Sequence, residues 1–432
     1  MVSARLRGGS MRIGSVLAGM VAGAALVAGL SPAQAGGLER APSTLGTVAL
    51  GVNDALTPTQ FDVDGSVYGV RARGIASLAK SLKPSTKRPA STSTTPDACS
   101  TAGFPGGWCN TAHNIAAKAF GWKFTAGGKG VIIGMIDTGI DLNQVEFKGR
   151  VLPGDCVKSA VNPCTLADDK LGGDDAVFPG AADATHGTHT TGIAAGANVG
   201  IANKASILPV KVCGSNVDSC QGVSTGIVWA AQHGANVISV SIGGGLLGSN
   251  DISDLRTAVS DGALIVVAAG NSGPIDPTSG SYSAAALLDG IRGSMIVVGA
   301  TGCSVSGANG RNCAQKGKGT LSSFSQAPAN RCQVQDGQSV CMKDYFVVAP
   351  GTDIWSSVGN GTDKTSTYGY LSGTSMATPY VSGTAAVIKG MWPTLSSSQI
   401  ASIIFQTADD LGAPGVDPVY GRGEVDITKA LG

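Results

Sequence analysis

Unbroken apolar runs, each closed by turn residues, recur along this chain with room for a helix between them. The first, Gly130-Val131-Ile132-Ile133-Gly134-Met135-Ile136, stops at Asp137-Thr138-Gly139. Others are Ile207 to Val212, Val237 to Ile242, Leu264 to Ala269, Ile296 to Val298 and Phe346 to Ala349. A short apolar run without alternation reads as a strand buried on both faces. Between the runs the pattern is helical. One helix begins near His186 and continues through Gly192 to Ala197, a second covers Ile227 to His233, and a third covers Leu255 to Ala258. After Gly373-Thr374-Ser375-Met376-Ala377-Thr378-Pro379, apolar residues return at Val381, Ala385, Ala386, Ile388 and Met391 as a further helix. Strands alternating with helices predict an α/β fold with a mostly parallel central sheet covered on both sides. In such sheets functional residues gather at the carboxyl ends of the strands.

The clear pattern starts only after Cys109. Near the N-terminus, Arg5, Arg7 and Arg12 precede the apolar stretch Ile13 to Leu30, Pro32 ends it, and Ala33-Gln34-Ala35 has the A-x-A form of a cleavage site. Residues 1–35 therefore read as a signal peptide cut after Ala35, not as a membrane anchor, and the destination is secreted or periplasmic. No later segment is long and apolar enough to span a bilayer, so no membrane association is expected after signal removal. Residues 36–97 are weakly patterned, with basic Lys80, Lys83, Lys87 and Arg88 and the linker Ser91-Thr92-Ser93-Thr94-Thr95-Pro96. A basic, Ser/Thr-rich join is easily cut, and this segment reads as a removable pro-region or linker. Residues 98–432 form the folded domain.

Composition adjusts this picture in three places. Glycine at 64 residues and aromatics at 5% favour tight turns and close backbone approach over an aromatic-rich core. With 30 basic against 29 acidic residues there is no basic patch for nucleic acid. Ten cysteines suit an oxidising compartment. They fall as neighbours, Cys99 and Cys109, Cys156 and Cys164, Cys213 and Cys220, Cys303 and Cys313, Cys332 and Cys341, and five disulfides are expected on proximity alone. No C-x-x-C spacing favours zinc.

Four residues at element termini carry candidate chemistry. Asp137, at the end of the first strand, is either a turn aspartate or a carboxylate that orients an imidazole. In His186-Gly187-Thr188-His189 the small neighbours let a helix pack closely and place an imidazole; His189 reads as a packed structural histidine. Ala268-Ala269-Gly270-Asn271 ends a strand, and Asn271 is either a turn residue or a side-chain donor for an oxyanion. Ser375, on the lip of a helix, is either a cap or a nucleophile whose own N–H faces the developing charge. Gly222-Val223-Ser224-Thr225-Gly226 matches a G-x-S-x-G elbow, but no strand leads into it and the only later histidine is His233. Ser224 reads as a helix cap.

In this order, Asp137-Thr138-Gly139, His186-Gly187-Thr188-His189, Ser241-Ile242-Gly243-Gly244, Ala269-Gly270-Asn271 and Gly373-Thr374-Ser375-Met376-Ala377-Thr378-Pro379 resemble the subtilisin family of serine proteases. The resemblance runs from about Trp122 to the C-terminus. It implies a subtilisin-like three-layer α/β/α fold and a secreted serine endopeptidase of broad specificity acting on polypeptides as a monomer. It implies a catalytic triad of Asp137, His186 and Ser375, with an oxyanion hole from Asn271 and the Ser375 N–H. It also implies a substrate-binding edge at Ser241, Ile242, Gly243 and Gly244 facing Ala268, Ala269 and Gly270. No cofactor is needed for the chemistry; calcium is implied as a structural ion, and Asp168, Asp169, Asp174 and Asp175 are either its ligands or a plain solvated loop. The chain departs from the family pattern at Thr190-Thr191, in place of Val-Ala, and at Thr378 and Tyr380, in place of serine and histidine.

Overall fold

The computed structural model describes residues 111–120, 127–157, 185–214, 220–243, 247–272, 281–302, 319–359 and 367–432. Its strands are β1 (Ile132–Asp137), β2 (Asp155–Cys156), β3 (Ser206–Lys211), β4 (Val237–Val240), β5 (Leu264–Ala268), β6 (Met295–Gly302), β7 (Thr320–Leu321), β8 (Cys332–Gln335), β9 (Gln338–Cys341), β10 (Phe346–Pro350), β11 (Ile354–Val358) and β12 (Thr367–Leu371). Its helices are α1 (Ala112–Phe120), α2 (Thr185–Ala195), α3 (Val223–Gln232), α4 (Ser249–Ser260), α5 (Thr374–Met391), α6 (Ser397–Thr407) and α7 (Ile427–Ala430). Every apolar run predicted as a strand is one.

The main sheet has the order β10-β6-β5-β4-β1-β3-β2 with parallel pairing throughout, and β7 adds antiparallel to β6. Valine and isoleucine fill its centre: β4 and β5 are buried at every position, as strands covered on both faces must be. The α3 and α4 helices pack on each other, and α3 lies on β1, β3 and β4. At Gly134 an added Cβ would lie 3.0 Å from the Ala230 Cβ, so this strand glycine lets α3 sit close to the sheet. The α5 helix lies against β4, β5, β6 and β10, with α2 packed beside it. The result is the expected three-layer α/β/α arrangement with a mostly parallel sheet.

Burial explains α5. All its residues from Thr374 to Ile388 are buried, so it is an internal helix and not an amphipathic one. Its hydroxyls are satisfied within the helix: Thr378 donates to the Thr374 carbonyl at 2.8 Å, Ser382 to Thr378 at 3.0 Å and Thr384 to Tyr380 at 3.0 Å. Where α2 and α5 meet, a Cβ on Gly383 would fall 2.8 Å from the Ala194 carbonyl oxygen and 2.7 Å from the Ile201 Cβ. His186 and Ser375 stand in the first turns of these two packed helices.

Several boundaries differ from expectation. The α2 helix stops at Ala195, because the Ala197 N–H leaves the helix to donate to the Glu146 carbonyl at 3.0 Å. The α3 and α4 helices extend beyond their apolar centres in polar first turns. Ser224 is not a cap: Gly222 precedes the helix in the left-handed region, and the Ser224 hydroxyl donates to Asp251 at 2.5 Å and contacts Asp254 at 3.0 Å. The antiparallel β11–β12 ribbon, with Trp355 opposite Tyr370, was not legible as an apolar run because the buried Ser356 and Ser357 interrupt it.

Two expected disulfides are present, Cys213–Cys220 and Cys332–Cys341, the second closing the β8–β9 hairpin. Cys156 is also disulfide-bonded. Cys99, Cys109, Cys164, Cys303 and Cys313 lie outside the described residues, as do the expected signal and pro-region segments. Among the described residues no helix is long and apolar enough to cross a membrane.

Replacing Gly383 by valine forces branched carbon into the α2–α5 crossing. It should destabilise folding by about 1–3 kcal/mol, as overpacking does. The measurement is the urea midpoint; an unchanged midpoint would mean that the two helices are not in close contact there.

Candidate active site

Pro379 lies inside α5 and has no N–H, so the carbonyl one turn earlier, that of Ser375, receives no helical hydrogen bond. The Ser241 hydroxyl supplies the missing donor at 3.0 Å. In return the Ser375 hydroxyl donates to the Ser241 carbonyl at 3.1 Å. This reciprocal pair ties the residue just beyond β4 to the start of α5, and Ser375 is only 8% exposed.

Asn271 is held by the same helix end. Its side-chain oxygen accepts from the Thr374 N–H and from the Thr374 hydroxyl, both at 3.0 Å. A backbone N–H can only donate, so the atom it meets is the amide oxygen and Nδ2 is turned away from Thr374. The Thr374 hydroxyl also accepts from the Gly270 N–H at 3.2 Å, closing a small network. A Cβ built on Gly373 would lie 3.5 Å from Asn271 Nδ2 and 3.5 Å from the Ser375 nitrogen. The bare Gly373 thus keeps open a space that two N–H donors flank. The Ser375 N–H belongs to the first helical turn, where no intrahelical acceptor exists.

On the other helix, His186 Nδ1 lies 2.8 Å from Asp137 Oδ1. An ionised carboxylate only accepts, so Nδ1 carries the proton and Nε2 keeps its lone pair. The imidazole side chain is 20% exposed and the carboxylate side chain 2%. Asp137 Oδ1 also accepts the Thr138 N–H at 2.7 Å, and Oδ2 accepts the Thr190 hydroxyl at 3.0 Å. The Thr138 hydroxyl takes the Gly187 N–H at 3.1 Å, which fixes the first turn of α2 over the strand end. Burial works against a charged His186, while the charge and hydrogen bond of Asp137 favour it. The second influence prevails and the pKa is raised above the ordinary histidine value.

His189 has a different character. It is fully buried, and its Nε2 donates to the Ile354 carbonyl at 3.0 Å and the Gly369 carbonyl at 3.2 Å, one on each strand of the β11–β12 ribbon. Burial pushes its pKa down to about 3, so it stays neutral. The ribbon answers with the Ser356 hydroxyl on the His189 carbonyl at 2.9 Å and the Ser357 hydroxyl on the Thr188 carbonyl at 3.0 Å. This is the structural histidine that the sequence led us to expect.

Ser241, Ile242 and Gly243 leave the carboxyl end of β4, while Ala268, Ala269 and Gly270 close and follow β5. At Gly243 the two edges nearly meet, since a Cβ there would fall 2.7 Å from the Gly270 nitrogen. Gly243 therefore serves close backbone approach at that point. Gly244 and the acidic loop Asp168, Asp169, Asp174 and Asp175 lie outside the described residues. Among the described residues no group of three or more His, Cys, Asp or Glu side chains could hold a metal ion.

Sequence reasoning did not assign Thr374, Thr190 or Gly373 a part in this site. Thr374 and Gly373 stood inside the serine motif and Thr190 next to the second histidine, but which atoms they meet depends on long-range folding.

Residues 128–423 match the subtilase family. Thermitase from Thermoactinomyces vulgaris is 32% identical over 71% of this chain and 90% of its own length. Subtilisin DY from Bacillus licheniformis is 31% identical over 72% of this chain and 93% of its own. Among solved structures, fervidolysin from Fervidobacterium pennivorans, a keratinolytic enzyme related to subtilisin, aligns with a TM-score of 0.54 at 25% identity, covering 73% of this chain and 45% of that one. The chain belongs to the subtilase family. It is a subtilisin-like serine endopeptidase.

The His186 environment makes a prediction that needs no substrate. Followed by NMR, the imidazole should titrate above the usual value of about 6.5. Asp137→Asn removes the carboxylate charge but not the burial, so the titration should then drop below that value. A midpoint unmoved by this substitution would contradict the assigned balance of forces.

Proposed function

We propose that Ser375, His186 and Asp137 are the nucleophile, general base and orienting acid of this endopeptidase. The observation that carries the reading is the pair of donors, Asn271 Nδ2 and the Ser375 N–H, flanking one space beside the Ser375 Cβ. A peptide carbonyl oxygen seated there gains negative charge as the hydroxyl attacks, and both donors stabilise it without rearrangement. In the free enzyme the hydroxyl rests on the Ser241 carbonyl. In the reaction it turns to Nε2 of His186, which takes its proton and later passes it to the leaving amine. Asp137 holds the tautomer that leaves Nε2 basic, and stabilises the imidazolium. Water then enters through the same base to release the acyl group from Ser375.

Substrate is bound in this reading as an added strand along Ser241, Ile242, Gly243 and Gly244, opposite Ala268, Ala269 and Gly270. Main-chain hydrogen bonds carry affinity and leave selectivity broad. The enzyme is exported through residues 1–35, carries residues 36–97 as a removable pro-region and folds as residues 98–432. It acts as a secreted or periplasmic monomer. Three further disulfides, Cys99–Cys109, Cys156–Cys164 and Cys303–Cys313, complete the set. Calcium, where bound, has a structural part only.

Two substitutions test the assignment in a peptide-hydrolysis assay. Ser375→Ala should cost on the order of a million-fold in turnover, the scale seen when a nucleophile working with its base is removed. Gly373→Ala puts a methyl at ordinary contact distance from its neighbours, so the protein should fold. Because that methyl fills the space between the two donors, turnover should fall on the order of 100-fold. Normal turnover in Ser375→Ala would overturn the nucleophile, and normal turnover in Gly373→Ala would overturn the oxyanion site.

A further inference from the structure

Thr190 stands where the resemblance leads one to expect valine, and its hydroxyl lies 3.0 Å from Asp137 Oδ2. The same hydroxyl lies 3.1 Å from the Gly187 carbonyl, the ordinary resting place for a helical threonine. One proton cannot serve both fully, and an ionised carboxylate is the stronger acceptor. Thr190 is completely buried, as is the carboxylate it meets, so water does not dilute the interaction. Valine has the same shape but no donor.

We propose, on the assignment of Asp137 and His186 made above, that Thr190 is a positioning residue for the acid. Its hydroxyl locks the carboxylate plane and draws negative charge toward Oδ2, so that His186 releases its proton at a lower pH than it would beside an apolar residue 190. The two carboxylate oxygens thereby divide their work. Oδ1 takes the Thr138 N–H and the imidazole, and Oδ2 takes the threonine. A carboxylate that already receives these hydrogen bonds is a weaker electrostatic partner for the imidazolium. Activity consequently extends further toward acid pH than the ion pair alone would permit.

Among the described residues, the other charged groups near this pair are already engaged. From β3, the Lys211 ammonium donates to the Thr138 carbonyl at 2.9 Å. From the loop after β1, buried Asp141 receives the Asn143 N–H on its carboxylate at 2.9 Å. From α2, His189 is neutral and turned to the β11–β12 ribbon. The ribbon itself offers carbonyls and the Ser356 and Ser357 hydroxyls.

The test compares the wild type with Thr190→Val, Thr190→Ala and Thr190→Ser. The acid limb of kcat/KM against pH is measured on a peptide. The His186 imidazole is titrated by NMR in the same variants carrying Ser375→Ala. Valine and alanine should move both midpoints upward by on the order of half a unit, as loss of one hydrogen bond to a charged neighbour does. Serine, which restores the hydroxyl, should return both to the wild-type position; a purely structural role would follow side-chain shape and place valine with the wild type. Coincident or downward-shifted midpoints in active Thr190→Val or Thr190→Ala overturn the proposal and leave the triad standing. A shifted imidazole in a protein without peptidase activity supports the coupling and instead overturns the triad reading.

Discussion

A carboxylate whose side chain is only 2% exposed is costly unless donors surround it, and Asp137 is such a group. Among the described residues three donors reach it: the Thr138 N–H, the His186 imidazole and the Thr190 hydroxyl. Their arrangement constrains much of the neighbourhood. The strand must end at Asp137 so that the next N–H can turn back. The α2 helix must begin close above, which the Thr138 hydroxyl enforces through the Gly187 N–H. A Cβ on Gly187 would fall 2.0 Å from the Gly139 carbonyl oxygen and 3.2 Å from Asp137 Oδ1, so only glycine permits this approach. These donors satisfy both carboxylate oxygens, and the contact with Nδ1 is what fixes one tautomer of the facing imidazole.

A second constraint meets the first across the packed helices. Pro379 deprives the Ser375 carbonyl of its helical partner, and Ser241 supplies a substitute. The helix is thereby stitched to the carboxyl end of β4 at the turn where the serine stands. Thr374 stitches it to Asn271 beyond β5. The first tie uses a carbonyl that Pro379 frees, and the second an N–H that any helix start leaves without an intrahelical partner. The serine hydroxyl, its N–H and the asparagine amide are thus positioned by one element, while the α2–α5 contact near Ala194 and Gly383 links that element to the histidine helix.

Much of this could be read from the chain. The apolar runs announced all six long strands of the parallel sheet, because a strand covered on both faces leaves no polar positions to blur it. The motif residues were legible because each sits at an element end where glycine or a small side chain accompanies it. What was hidden depends on contacts distant in sequence. The β11–β12 ribbon has mixed polarity and no apolar run, although it anchors His189. Ser224 looked like a cap because capping is local, whereas its actual partners lie on α4. The α6 helix carries a capping box at Ser396 and Gln399, a signal that was present but not used. Thr190 stood out as a departure, yet only the fold shows its hydroxyl directed at Asp137.

Covalent labelling tests the central claim most directly. Folded, processed protein is treated with a fluorophosphonate, which traps a serine only when a neighbouring base activates it, and the adduct is located by mass spectrometry. The account predicts one adduct, on Ser375, that is lost in His186→Ala while the protein remains folded. Absence of label on Ser375, or equal labelling without the imidazole, would contradict it.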